Sequence, residues 1–268
     1  MLATHAMMAN SRYFRGRAGF ADHLASRGID VFMFDLRGHG ASVPPDPTVD
    51  RWLFDDYVEL DFPAALSKVS AAAAIDSREV VFVGHSLGGQ VGLAAYASGI
   101  APAAHRISLW ASCVWRPGSS RFRMRRALLD LFALTSMPLG YVPIRRLGIG
   151  TDNEPSSYVR QLASWARNGR WTDRTGNDYA AALRELSSVC WPVTGARDRL
   201  CTPADASRFI ESLPNALPLR VVGPTHGDAV DPDHFALFKR TELRPLWDEL
   251  AAFVIDGEPS GLRGRERK

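Results

Sequence analysis

A serine set between two glycines, in Gly84-His85-Ser86-Leu87-Gly88, follows directly on the apolar run Glu79-Val80-Val81-Phe82-Val83. This is the spelling of a nucleophile elbow, in which a strand turns sharply into a helix. Only small flanking residues let such a turn close, and it leaves the serine hydroxyl free at the carboxyl end of the strand. The residues that follow, Gly89 to Ala97, are small and helix-compatible and suit tight packing on a sheet. The chemistry implied is nucleophilic attack on an acyl group. A serine hydroxyl is a poor nucleophile at neutral pH, so it needs an imidazole to take its proton and a carboxylate to fix the tautomer of that imidazole. These three groups must come from different loops, and two late histidines, His226 and His234, are candidates for the base.

The elements that must position them alternate. Leu2-Ala3-Thr4 reads as the end of a strand, and Arg15 to Ser26 as a helix with Phe20 and Leu24 inward. Ile29 to Phe34 reads as a strand that ends in the glycine-rich turn Asp35 to Ser42, and Pro44, Pro45 and Pro47 keep the next stretch out of helix. Asp55 to Ser70 reads as a helix, followed by the elbow strand, its helix, and a strand at Arg106 to Ala111. This order implies an α/β fold with a doubly wound, mostly parallel sheet. From Val114 to Leu186 the alternation gives way to amphipathic helical stretches rich in arginine and tryptophan, read as an inserted helical cap. It resumes with a strand at Val189 to Thr194, a helix at Ala204 to Ser212, a strand at Leu217 to Val222 and a helix at Leu243 to Val254. The expected organisation is a core formed by 1–113 and 187–255, a cap at 114–186, and a flexible polar tail at 256–268.

Composition narrows the function classes. With 268 residues and 46% apolar content the chain supports one sizeable core, and no apolar run is long enough to span a membrane. The start of the chain lacks the pattern of an export signal, which implies a cytoplasmic protein. The three cysteines, Cys113, Cys190 and Cys201, are widely spaced and follow no metal-ligand pattern, so free thiols in a reducing compartment are expected. A net charge of +3, carried almost wholly by arginine, argues against nucleic-acid binding. The cluster Arg116, Arg121, Arg123, Arg125 and Arg126 reads as a solvated helix face, with an anion-binding or membrane-surface patch as the other reading. No P-loop, dinucleotide fingerprint or metal cluster is spelled out, so no cofactor is expected, and nothing fixes an oligomeric state.

Taken together, Asp35-Leu36-Arg37-Gly38-His39-Gly40-Ala41-Ser42, the elbow, the acid-bearing turn Gly195-Ala196-Arg197-Asp198 and a late histidine resemble the α/β-hydrolase superfamily, in its order of serine, acid, histidine. The resemblance implies that Ser86 is the nucleophile and Asp198, after the strand ending near Thr194, the acid. Asp205, Asp228 and Asp231 are read as capping and turn residues. A simple superfamily pattern, histidine followed by glycine, points to His226. The longer stretch His234-Phe235-Ala236-Leu237-Phe238-Lys239 with Leu246-Trp247 resembles the G-H-x-G-F-F-R…L-W ending of a bacterial branch and favours His234, with Asp233 where that branch has glycine. His85 and His39 are expected to be scaffold. The resemblance gives the oxyanion to the backbone N–H groups of Leu87 and Met7, the latter from His5-Ala6-Met7 where the family commonly spells His-Gly-x. It also implies that the sheet lacks the family's first edge strands. Asp152-Asn153-Glu154 and the Trp165 to Trp171 segment are candidates for lining the pocket, the tryptophans also for cap core. The function implied is cofactor-free serine hydrolysis of a carboxylic ester of a small-molecule acyl substrate, of the lipase or carboxylesterase kind. Acyl transfer, thioester or carbon–carbon hydrolysis on the same triad, and a non-catalytic binding protein, stand as alternatives. Dehalogenase and epoxide hydrolase are disfavoured, because those relatives carry aspartate at the elbow.

Overall fold

The computed structural model describes residues 1–260. Among the described residues six strands form one parallel sheet: β1 (Leu2–Thr4), β2 (Phe32–Phe34), β3 (Phe82–His85), β4 (Arg106–Trp110), then β7 (Val189–Gly195) and β8 (Arg220–Val222), in the spatial order β2-β1-β3-β4-β7-β8. Two short strands of the cap, β5 (Tyr141–Val142) and β6 (Glu154–Pro155), pair antiparallel in a sheet of their own. The central strands are apolar on both faces because helices cover both sides, as a parallel sheet requires. Phe82, Val83, Ile107, Leu109, Trp191 and Val193 are all buried. At the edge, the three side chains of β2 stay partly exposed, and among the described residues no strand lies beyond it.

The helices are α1 (Phe20–Ala25), α2 (Phe54–Asp56), α3 (Phe62–Ala73), α4 (Leu87–Ala97), α5 (Phe122–Ser136), α6 (Ile144–Leu147), α7 (Ser156–Asn168), α8 (Tyr179–Ala182), α9 (Pro203–Ile210) and α10 (Arg244–Asp256). A wider π-type stretch, Tyr57–Asp61, joins α2 to α3. The first helix is shorter than the pattern suggested. Ser11–Phe14 forms a separate 3-10 turn, and helical winding starts only after Gly19, because Gly16 and Gly19 interrupt the run. The last helix runs through Asp256, two residues past Val254 and into the segment expected to be tail; the part of that tail from 261 to 268 lies outside the described residues.

The cap, α5 to α8, packs on the core through aromatic rings. Phe54 meets Trp165, Trp171 and Tyr179 edge-on at centroid distances of 5.1, 5.9 and 5.6 Å, and Tyr57 meets Tyr158 at 5.4 Å. Two buried charge pairs fasten it as well. His39 in the glycine-rich turn donates to Glu154 at 3.1 Å, and Arg125 of α5 pairs with Asp205 of α9 at 2.7 Å. Arg125 therefore leaves the solvated face on which its sequence neighbours placed it.

Candidate active site

The elbow sits where β3 gives way to α4. Ser86 holds φ 53° and ψ −114°, a region that L-residues rarely occupy, and its N–H donates to the Trp110 carbonyl at 2.9 Å. A methyl group at Gly88 would lie 2.6 Å from the Thr4 carbonyl oxygen, so only glycine lets α4 begin this close to the end of β1. Among the described residues the Ser86 hydroxyl makes no hydrogen bond, and it borders a cavity that it shares with His234.

Asp198 lies buried in the turn after β7. Its Oδ1 accepts the N–H groups of Leu200 and Cys201, each at 2.8 Å, while Oδ2 meets His234 Nδ1 at 2.7 Å. The turn's own backbone thus aims the carboxylate at the imidazole. In the neutral tautomer that donates Nδ1–H to Asp198, the lone pair of the ring lies on Nε2. His226 goes elsewhere: it stands exposed in a helical turn, Pro224–His226, and does not line the cavity. Asp228 closes that turn by accepting Gly223 N–H at 2.8 Å and pairs with Arg220, consistent with its reading as a turn residue. Asp233 accepts from Phe235 N–H and Ala236 N–H at 3.2 and 3.0 Å, which shapes the His234 loop without the glycine of the longer pattern.

The loop after β1 is held on both sides of Met7. Ala6 N–H donates to the Tyr13 hydroxyl at 3.0 Å, and Met8 N–H donates to Glu154 Oε1 at 2.7 Å. Between them the Met7 N–H has no partner among the described residues, and Met7 lines the same cavity as Leu87, whose N–H belongs to the open first turn of α4. His5 anchors the loop from below. It accepts Leu36 N–H at 3.0 Å on Nε2, and its Nδ1 meets the Ala6 carbonyl at 2.9 Å. Burial, reinforced by nearby His39, pushes the His5 pKa down to about 4 and keeps the ring neutral.

His85 is scaffold of a particular kind. Its Nδ1 lies 2.6 Å from the Tyr13 hydroxyl and its Nε2 lies 3.0 Å from the His234 carbonyl oxygen. Burial, followed by the nearness of His234, holds the His85 pKa well below the ordinary histidine value, so the ring is neutral and must donate from Nε2 and accept at Nδ1. A single chain of hydrogen bonds thus runs from Ala6 N–H through Tyr13 and His85 to the backbone of His234. It joins the loop of Met7 to the loop of the imidazole. Nothing in the sequence announced Tyr13, whose one signal is its place in a short aromatic pair with Phe14.

The cavity has a volume of about 400 Å³, within the range of small-molecule sites. Leu129, Phe132, Tyr158, Leu162 and Trp165 of the cap form its roof, and no Asp, Glu, Lys or Arg lines it among the described residues. Both Trp165 and Trp171 pack in the core, and Trp165 borders the cavity as well, which Trp171 does not. Asp152 and Glu154 do not face the cavity. Asp152 instead accepts from Asn10 at 2.6 Å and Gly40 N–H at 2.9 Å, and Glu154 accepts from Met8 and His39, so the segment expected to line the pocket ties the cap to the core. Among the described residues no group of three or more histidine, cysteine or carboxylate side chains could hold a metal ion, and the three cysteines are buried free thiols. No described helix is long and apolar enough to cross a membrane.

Comparison with known proteins agrees with this architecture. A search of curated proteins returns no match. Solved structures do match over nearly the whole chain. One is from the work on LipS and LipT, two metagenome-derived lipolytic enzymes, at TM-score 0.65 and 15% identity, covering 95% of this chain and 92% of that one. A second is the monoacylglycerol lipase of Paleococcus ferrophilus, at TM-score 0.60 and 12% identity over 95% and 93%. A third is the meta-cleavage product hydrolase of Pseudomonas fluorescens IP01, at TM-score 0.57 and 17% identity over 96% and 90%. These likenesses are likenesses of fold. The sequence profile described as "Alpha/beta hydrolase family" matches residues 1–257. With the elbow, the parallel sheet and the inserted cap already in place, that match makes the chain a member of the alpha/beta hydrolase family.

Proposed function

We propose that this hydrolase is a cofactor-free serine esterase that cleaves a carboxylic ester with an uncharged, apolar acyl group. The observation that carries the reading is the 2.7 Å contact from Asp198 Oδ2 to His234 Nδ1 beside a cavity that His234 and Ser86 both border. In this mechanism His234 Nε2 takes the proton as Ser86 Oγ attacks the ester carbonyl. The tetrahedral oxyanion is received by the N–H groups of Leu87 and Met7, a stabilisation whose loss typically costs about 10²–10³ in rate per donor. Asp198 holds the imidazole in its tautomer and balances the imidazolium. His234 then gives the proton to the leaving alcohol, and a water activated by the same imidazole releases the acid from the acyl-enzyme. The wholly uncharged lining supports an apolar acyl group, because a charged one would enter without a counter-ion. The three free thiols suit a reducing, cytoplasmic setting.

The test is labelling by a fluorophosphonate probe, with Ser86→Ala as control, followed by turnover of p-nitrophenyl esters of increasing acyl length. Labelling of wild type alone and a preference for medium or longer chains are expected. Labelling of both proteins, or of neither when both are folded, rules the nucleophile out.

A further inference from the structure

The cap helix α5 is apolar on two faces, and only one of them is used. Leu129 and Ala133 are buried in a cluster with Val159, Ala163 and Ala166 of α7. On the opposite side Met124, Leu128, Leu131 and Leu134 recur at helical spacing, with exposures of 60, 43, 53 and 65%. The apolar surface continues along the chain with Met137, Leu139, Leu147 and Ile149, all more than half exposed. Two residues tie it to the site: Leu128 and Ile149 are open to solvent and also line the cavity over Ser86, so the exposed face borders the mouth of the pocket.

The segment that carries it is strongly basic. From Val114 to Ile149 the chain carries seven arginines and a single acidic residue, Asp130. Arg125 is spent on Asp205, and Arg126 shares Asp130 with Arg167. Arg123, Arg145 and Arg146 are exposed and form no ion pair among the described residues. A second copy of this chain is a poor occupant, since a two-fold contact would press this arginine-rich surface against itself. The complementary partner is apolar in depth and negative at its surface, which describes a bilayer containing anionic lipid.

From these observations we infer that the α5 face and the neighbouring α6 arginines dock the protein peripherally on anionic membrane, with the cavity mouth set against the lipid. This rests on the esterase reading only for what the mouth would admit, namely acyl chains taken from the bilayer; the docking itself needs no catalysis.

The experiment is co-sedimentation with vesicles of phosphatidylcholine alone or with about one-third phosphatidylglycerol, using wild type and Ser86→Ala. Both proteins should bind the anionic vesicles at least about tenfold more tightly than the neutral ones, and raised salt should weaken that binding. Arg123→Gln with Arg145→Gln should weaken it by roughly 25-fold, from about fivefold per arginine. Leu131→Glu with Leu134→Glu should abolish it with thermal melting kept. Equal binding to both vesicle types, or no binding by folded wild type, overturns the proposal. So does a concentration-dependent dimer that the leucine variant dissolves in protein that ignores vesicles. Vesicle binding by a chain that no fluorophosphonate labels would sink the esterase reading and leave the docking standing; labelling without vesicle binding would do the reverse.

Discussion

Replacing Tyr13 by phenylalanine removes one oxygen and leaves the ring, which packs on Phe14, Phe235 and Phe238 at centroid distances of 4.4, 5.8 and 5.9 Å. That oxygen makes two hydrogen bonds, from Ala6 N–H at 3.0 Å and to His85 Nδ1 at 2.6 Å. Without it a backbone donor and a ring acceptor, both on buried residues, lose their partners, at about 1–2 kcal/mol each. A total of about 2–4 kcal/mol, at roughly 2–4 °C per kcal/mol for a chain of this size, lowers Tm by about 4–16 °C. Activity should fall further than stability alone explains, since the N–H of Met7 is adjacent to the freed Ala6. On the oxyanion role proposed for Met7, complete loss of one donor sets a ceiling of about 10²–10³, and a loosened donor should cost roughly tenfold in kcat with KM little changed. Melting followed by circular dichroism and steady-state kinetics on p-nitrophenyl acetate, below the new Tm, give both numbers. If Tm stays within about 2 °C and kcat within twofold, the chain of bonds through Tyr13 and His85 positions nothing.

Three further outcomes are expected. Asp198→Asn should cut kcat by up to about 10⁴ through the wrong imidazole tautomer, while His226→Ala leaves it within about twofold; a comparable loss in both would return His226 to the site. Breaking the buried pair with Arg125→Met should cost about 3–5 kcal/mol by leaving Asp205 without its counter-ion, with only Ser120 N–H and the Thr202 hydroxyl donating to it, measurable as a urea midpoint shift. Burial opposes charge on His39, but the Glu154 carboxylate outweighs it and raises the pKa to about 9, with both ring nitrogens donating. A raised histidine pKa gives stability that is complete below the unfolded value near 6.5 and lost as pH climbs through 9, a change on the order of 3 kcal/mol. Melting of wild type should therefore drop between pH 6.5 and 9.5 more steeply than that of Glu154→Gln, and parallel curves would count against the pair.

Residues whose signal is local were legible in the sequence. Ser86 announced itself because the elbow needs glycines at fixed offsets, and Asp198 because it follows a strand by a short turn. The choice between His226 and His234 is one of loop path. Asp228 and Asp233 bend that loop through hydrogen bonds to backbone that no spacing rule exposes. Asp152 and Glu154 misled for a related reason: their partners His39, Met8 and Asn10 lie more than a hundred positions away, so a carboxylate that clamps reads like one that lines a pocket. Arg125 was hidden among exposed arginines, and only its helical phase, shared with Leu129, separates it from them. The alternation of strands and helices survived because sheet burial sets it over long runs. The start of α1 did not, since two glycines outweighed an apolar pattern.

The aromatic contacts between cap and core bear on how anything reaches Ser86. Lifting the cap would expose Tyr158, Trp165, Trp171 and Tyr179 together, at about 1.5–3 kcal/mol for each large side chain, or roughly 6–12 kcal/mol in all. That is comparable with the whole margin by which a domain stays folded. Opening the roof as one body is therefore costly, and the side chains at its rim, Leu128 and Ile149, are far cheaper to move. Exposed groups of this kind change rotamer in picoseconds to nanoseconds, a faster clock than the microseconds of a swinging domain.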